Sequence, residues 1–125
     1  MNIEEYREYC LSLGDVEEKI PFSAFHNAES EILAFYVGGH IFALFNLNDF
    51  DTITLKCQTD TIEELKSSSR FVTKPMSMSA KNLKYWVGID ARLADDESIK
   101  SLTLNAYHHV KSSTQRKVVV VETKL

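Results

Sequence analysis

Residues Ile32–Leu47, ILAFYVGGHIFALFNL, decide how this chain folds. Two apolar, aromatic-rich runs flank Gly38-Gly39, and Gly accepts the positive φ that a two-residue hairpin turn requires. Strict alternation outward from that turn pairs Val37 with His40, Phe35 with Phe42 and Leu33 with Leu44 on one face. The other face then carries Tyr36 opposite Ile41, Ala34 opposite Ala43 and Ile32 opposite Phe45. Cross-strand aromatic and β-branched pairs of this kind hold a register. Both faces are apolar, so the hairpin belongs inside a sheet, covered on one side and partly covered on the other.

The flanking segments supply the rest of the sheet and its helices. Residues 2–13 read as a helix in which Ile3, Tyr6, Cys10 and Leu13 form one apolar stripe, ended by Gly14. Residues 15–27 read as a loop, with Phe22 and Phe25 tucked under the sheet. After the hairpin, Thr52–Cys57 alternates, with Ile53, Leu55 and Cys57 inward and Thr52, Thr54 and Lys56 outward. Asp60 and Glu63 have the spacing of a capping box, opening a short helix with Ile62 and Leu65 inward. Residues 70–82 form a Ser-, Met- and Lys-rich connection containing Pro75. Lys84–Asp90 alternates again as a strand, with Tyr85, Val87 and Ile89 on one face. Asp95 or Asp96 caps a last helix whose stripe is Ile99, Leu102, Ala106 and Val110. The expected order is helix, three antiparallel strands, helix, strand, helix, an α+β sandwich with helices on one face of the sheet. Residues 1–117 make the domain. Residues 118–125 are a Val-rich tail with strand propensity, read as an edge strand, an interface strand for a homodimer or a disordered end.

Composition bounds the function. At 125 residues the chain makes one domain, and 44% apolar with 26% charged residues is ordinary for a globular protein. Its acidic start lacks a secretory h-region, and the longest apolar run, Ile32–Val37, is far short of the roughly 18 residues of a membrane helix. Cys10 and Cys57 stand apart without CxxC spacing and read as reduced, buried thiols of a cytoplasmic protein. The net charge of −4 is uneven: residues 1–55 hold two basic and ten acidic side chains, residues 56–125 twelve and eight. Any nucleic-acid contact must therefore use a local patch.

Five segments carry a family resemblance: YCLSLGDVEE (9–18) with Pro21-Phe22, FYVGGHIFAL (35–44), ITLKC (53–57), NLKYWV (82–87) and AYHHV (106–110). In order and spacing the chain resembles the MmcQ/YjbR-like family, whose fold is similar to that of CyaY, the bacterial frataxin. It departs from the family pattern at Tyr85, where His is usual, and at Gln58-Thr59, where Asp-Pro is common. The resemblance implies a CyaY-like antiparallel sheet with helices on one face, and DNA binding through a double-wing arrangement. It implies no catalytic residues.

The residues sort accordingly. Arg70, Lys74, Lys81, Lys84 and Arg92 are candidate phosphate contacts and Trp86 a candidate stacking platform, in a stretch with one acid, Asp90. The alternative is that Trp86 and Tyr85 are strand packing and the lysines ordinary solvated charges. Glu4, Glu5 and Glu8 share a helix surface and make a weaker case for a frataxin-like cation site. His108 and His109 are adjacent, so on a helix they diverge by about 100° and do not chelate one ion. Neither cysteine has a histidine positioned to activate it, and there is no GxSxG or Walker loop. The expectation is a non-catalytic DNA-binding protein without a cofactor or resident metal. The rival is a protein-interaction module using the sheet edge and the C-terminal valines.

Overall fold

The structure, a computed structural model, describes residues 1–20, 31–75 and 83–123, with residues 114–123 as backbone only. The expected loop containing Phe22 and Phe25, and much of the 70–82 connection, lie outside the described residues. The described α-helices and strands, besides a 3-10 turn at Leu83–Tyr85, are α1 (Ile3–Ser12), β1 (Val16–Lys19), β2 (Ile32–Val37), β3 (His40–Asn46), β4 (Asp49–Lys56), α2 (Thr59–Ser68), β5 (Val72–Thr73), β6 (Trp86–Asp90) and α3 (Asp96–Thr123). The strands form one antiparallel sheet in the order β1-β2-β3-β4-β6-β5.

The turn at Gly38 and Gly39 forms as its sequence dictates, with φ of 60° and 82°. Val37 pairs with His40 and Tyr36 with Ile41, and then the register slips. Phe35 pairs with Ala43, Ala34 with Leu44 and Leu33 with Phe45, one residue away from strict alternation. The slip is a β-bulge that absorbs Phe42 as an extra residue in β3. Its cause lies in the sequence of β3 itself. Phe42 and Phe45 are three apart, so regular pleating would put them on opposite faces; the bulge turns both toward the helices. Both are fully buried there with Phe35, at ring separations of 6.5 Å for Phe35–Phe42 and 6.1 Å for Phe35–Phe45.

Helix α1 packs on this aromatic face through Tyr6 and Cys10. A reciprocal capping box starts it: Glu5 N donates to Asn2 Oδ1 at 2.8 Å, and Asn2 N donates to Glu5 Oε1 at 3.0 Å. Tyr6 meets Phe35 and Phe45 edge-on at 6.1 and 5.8 Å, and its hydroxyl shares a 2.9 Å hydrogen bond with Thr103 on α3. Gly14 takes φ 99° just past the helix, and its carbonyl accepts the Tyr107 hydroxyl at 2.7 Å. Asp95 caps α3 by accepting from Ser98, and Ile99, Leu102, Ala106 and Val110 are buried as their spacing predicts. All three helices share one core with the same sheet face.

Several expectations are corrected. Val16–Lys19, expected within a loop, and Val72–Thr73, expected within a connection, are strands β1 and β5, and both are sheet edges, one mostly charged and the other two residues long. Thr54, expected to face out, is fully buried on the second face between Leu44 and Gly88. That face also buries Ile32, Ala34 and Leu44. The N-cap of α2 is Gln58 and makes no side-chain cap; Asp60 lies inside the first turn, where its carboxylate accepts from Thr61 N at 3.0 Å. Leu83–Tyr85 is a 3-10 turn rather than strand, which leaves Tyr85 42% exposed. The tail, read as an edge strand, an interface strand or a disordered end, is helical through Thr123 as the end of α3. Valine's strand preference is small per residue, whereas an established helix adds residues without a new nucleation cost.

Cys10 and Cys57 are free and buried, and burial pushes their thiols up to about 12 and about 11. Phe35→Ala removes the ring at the centre of the aromatic cluster. It is expected to lower stability by about 3–5 kcal/mol, read from urea unfolding followed by circular dichroism.

Candidate nucleic-acid interface

The far edge of the sheet places the candidate residues. β5 lies against β6 with Val72 opposite Ile89 and Thr73 opposite Gly88. A Cβ at position 88 would sit 2.6 Å from the Lys74 carbonyl oxygen and 2.7 Å from that of Thr73. Only glycine permits this approach. The approach brings Lys74 beside the start of β6, where Trp86 stands. A cavity of about 370 Å³ opens there, walled by Val72, Pro75, Trp86 and Val87 and bordered by Lys66 and Lys74. On the neighbouring strand Lys56 is the cross-strand partner of Trp86, with Nζ 5.7 Å from the indole ring centre. Trp86 itself is half-buried, packed against the second-face cluster of Ile32, Ala34 and Leu44.

Lys56 thus stands over the indole, while Lys66 and Lys74, from α2 and the segment after β5, border the cavity that Trp86 also lines. Lys84, in the 3-10 turn just before Trp86, is exposed and holds its ammonium 5.0 Å from the Tyr85 ring centre. Lys56 and Lys66 were not among the candidates read from sequence. Lys56 occupies an outward position of an alternating strand, and the pairing of β4 with β6 that puts it on Trp86 is set by tertiary structure. Lys66 is the basic residue in the last turn of α2, a place also favoured by the helix dipole.

The remaining candidates separate. Lys81 lies outside the described residues. Arg70 is exposed in the turn after α2 and borders a different cavity with Ser68, Ser69, Phe71 and Leu93. Arg92 follows the opposite end of β6, which at about 3.4 Å per residue puts Asp90 roughly 14 Å along the strand from Trp86. Its guanidinium pairs with Asp90 at 3.3 Å and with Asp51 at 3.7 Å. Hydrogen bonding to Arg92 holds the Asp90 carboxyl below its usual range, while hydrogen bonding to Asp49 raises that of Asp51. This end of the sheet is a carboxylate cluster around one arginine, and it does not join the lysine-rich end.

The α1 carboxylates do not assemble either. Glu5 is held by the Asn2 cap, and among the described residues no three His, Cys, Asp or Glu side chains come together to hold a metal ion. Arg7 on the same helix pairs with Glu18 of β1, its Nε 2.6 Å from Oε2. Among the described residues no helix is long and apolar enough to cross a membrane.

A family model described as YjbR matches residues 11–109. The crystal structure of a protein from Pseudomonas syringae is similar in fold, with a TM-score of 0.65 at 16% identity, covering 88% of this chain and 99% of that one. No curated protein matches the sequence.

Gly88→Ala forces β5 and Lys74 off the sheet edge. The expected loss of stability is about 1–3 kcal/mol in urea unfolding, the range for inserting a methyl group into close-packed structure.

Proposed function

The chain belongs to the YjbR family, and from that premise, with the lysines near Trp86, we propose that it is a non-catalytic DNA-binding protein. The observation that carries this reading is one cavity lined by Lys66, Lys74 and the half-buried Trp86, with Lys56 on the neighbouring strand 5.7 Å from the indole centre. Cations neutralise phosphates and release counterions, and an indole stacks on an unpaired base. A base stacked inside a duplex does not offer its face, so the preferred substrate is single-stranded DNA. Trp86 is the stacking platform, Lys56, Lys66 and Lys74 are the phosphate contacts, and Lys84 extends the surface beside them. Arg92 has no part in it, because its charge is spent on Asp90 and Asp51.

The finer fold label follows the same reading. Three helices on one face of an antiparallel sheet is the arrangement a CyaY-like sandwich would have, and it supports that assignment. The free cysteines suit a reducing compartment, and the reading puts the protein in the cytoplasm. The rival reading, strand addition by a partner or a second copy, has less to work with. The edge strand β1 carries Glu17, Glu18 and Lys19, the kind of charged edge that discourages pairing, and β5 is only two residues long. The helical 118–123 segment offers no strand.

Trp86 is the single tryptophan of the chain, so its fluorescence reports the site directly. Titration with a thymidine oligonucleotide at low salt is expected to quench it and to raise the anisotropy of a labelled strand. About three phosphate contacts predict a log–log salt slope near −2 on single strands. Lys74→Glu is expected to weaken binding, and Arg92→Glu to leave it unchanged. No binding at about 20 mM salt and micromolar protein, where three phosphate contacts are least screened, overturns the reading.

A further inference from the structure

A second cavity lies away from Trp86 and shares no lining residue with the first. On α3, Asn105, His108, His109 and Ser112 recur at i, i+3, i+4 and i+7, which makes a polar stripe on one side of the helix. Gln58 and Thr61, from the start of α2, face that stripe, and Cys57 closes the end nearest β4. Together they enclose about 390 Å³. His108 and His109, which diverge as neighbours on a helix, nevertheless both border it, because the cavity is broad enough to take one on each flank. We propose that this cavity binds a small oxyanion of the phosphate or carboxylate class.

The lining residues decide the chemistry. Six of the seven carry side chains that donate hydrogen bonds: two amides, two hydroxyls and two imidazoles. None is Asp or Glu, in a chain that holds eighteen of them and a net charge of −4. An anion is repelled over most of such a surface, and a cavity walled by donors without carboxylates is where it is tolerated. A metal ion is a poor occupant. Cys57 is the one thiol present, burial keeps it protonated, and no three-ligand group forms among the described residues. An apolar ligand would leave the amides and imidazoles dehydrated without partners, which is costly. An oxyanion presents several acceptor oxygens to several donors, and hydrogen bonds to a charged acceptor are the stronger kind.

The test is an NMR titration of the intact protein with the amide and imidazole groups labelled, using inorganic phosphate, acetate and chloride at matched ionic strength. Saturable shifts at His108, His109 and the Asn105 side chain with phosphate or acetate, and not with chloride, are expected. Phosphate saturating alone assigns the phosphate class, and acetate saturating alone the carboxylate class. Asn105→Ala and His108→Ala are at exposed positions and are expected to weaken binding by about tenfold each, the loss of one hydrogen bond to a charged group. His108→Gln, which keeps a donor, is expected to recover part of it. Unchanged thermal unfolding of these variants excludes a folding defect as the cause. Shifts that track ionic strength alone, or saturation that persists in the doubly substituted protein, overturn the proposal.

Discussion

A single extra residue in β3 holds this fold together. Regular pleating would give Phe42 to one face of the sheet and Phe45 to the other. The bulge between Tyr36 and Phe35 sends both to the helix side, beside Phe35. The cluster so formed is what α1 and α3 grip: Tyr6 from the one meets Phe35 and Phe45, and Tyr107 from the other meets Phe42 edge-on at 5.5 Å. Edge-on aromatic pairs contribute about 0.5–1.5 kcal/mol each beyond their buried area. The Tyr6–Thr103 hydrogen bond then ties the two helices to each other across that cluster. The interruption of β-sheet regularity and the docking of both helices are therefore one event.

The bulge also marks the limit of what could be read from the sequence. The turn was legible because Gly38-Gly39 is a local signal, and the pairs next to it followed. The register beyond Tyr36 was not, because strict alternation counts residues and takes no account of the bulge that the Phe42–Phe45 spacing calls for. The helical stripes were legible for the same local reason as the turn, and Tyr6, Cys10, Ile62, Ile99 and Val110 are all buried. The illegible strands, β1 and β5, are the two edges. An edge strand is half-paired and exposed, so its composition of Val-Glu-Glu-Lys or two bare residues carries no alternation to detect. The Asn2–Glu5 spacing forms a capping box for α1, whereas the similar Asp60–Glu63 spacing forms none for α2. Spacing alone does not say which residue leaves the helical conformation.

The candidate site repeats the lesson at longer range. In sequence, residues 70–92 look like one basic stretch. In space β6 runs straight through it and puts its two ends on different surfaces, Trp86 at one and the Asp90–Arg92–Asp51 cluster at the other. The cations near Trp86 come partly from elsewhere, Lys56 from β4 beside the indole and Lys66 from α2 at the rim of the cavity that Trp86 lines. Gly88 is the hinge of this arrangement, since the backbone of Thr73 and Lys74 occupies the space that any other side chain would need. A residue with no chemistry of its own thus decides where a lysine stands.

The uneven charge of the chain acquires a physical meaning from this layout. The acidic first half contributes α1, the charged edge β1 and the Asp49–Asp51 start of β4, which surround Arg92 and Arg7 with carboxylates. An arginine in that company is neutralised where it stands. The lysines around Trp86 belong to the other end of β6 and make no ion pair with a carboxylate among the described residues. Net charge then opposes the approach of a polyanion from afar, while the local surface attracts it at contact, within a screening length of about 8–10 Å. Binding of that kind gains little from long-range steering and depends on the few groups at the site. On the proposed reading, an acidic protein holds DNA on such terms only weakly or with the help of stacking, which is why the proposal rests on the indole rather than on any one lysine.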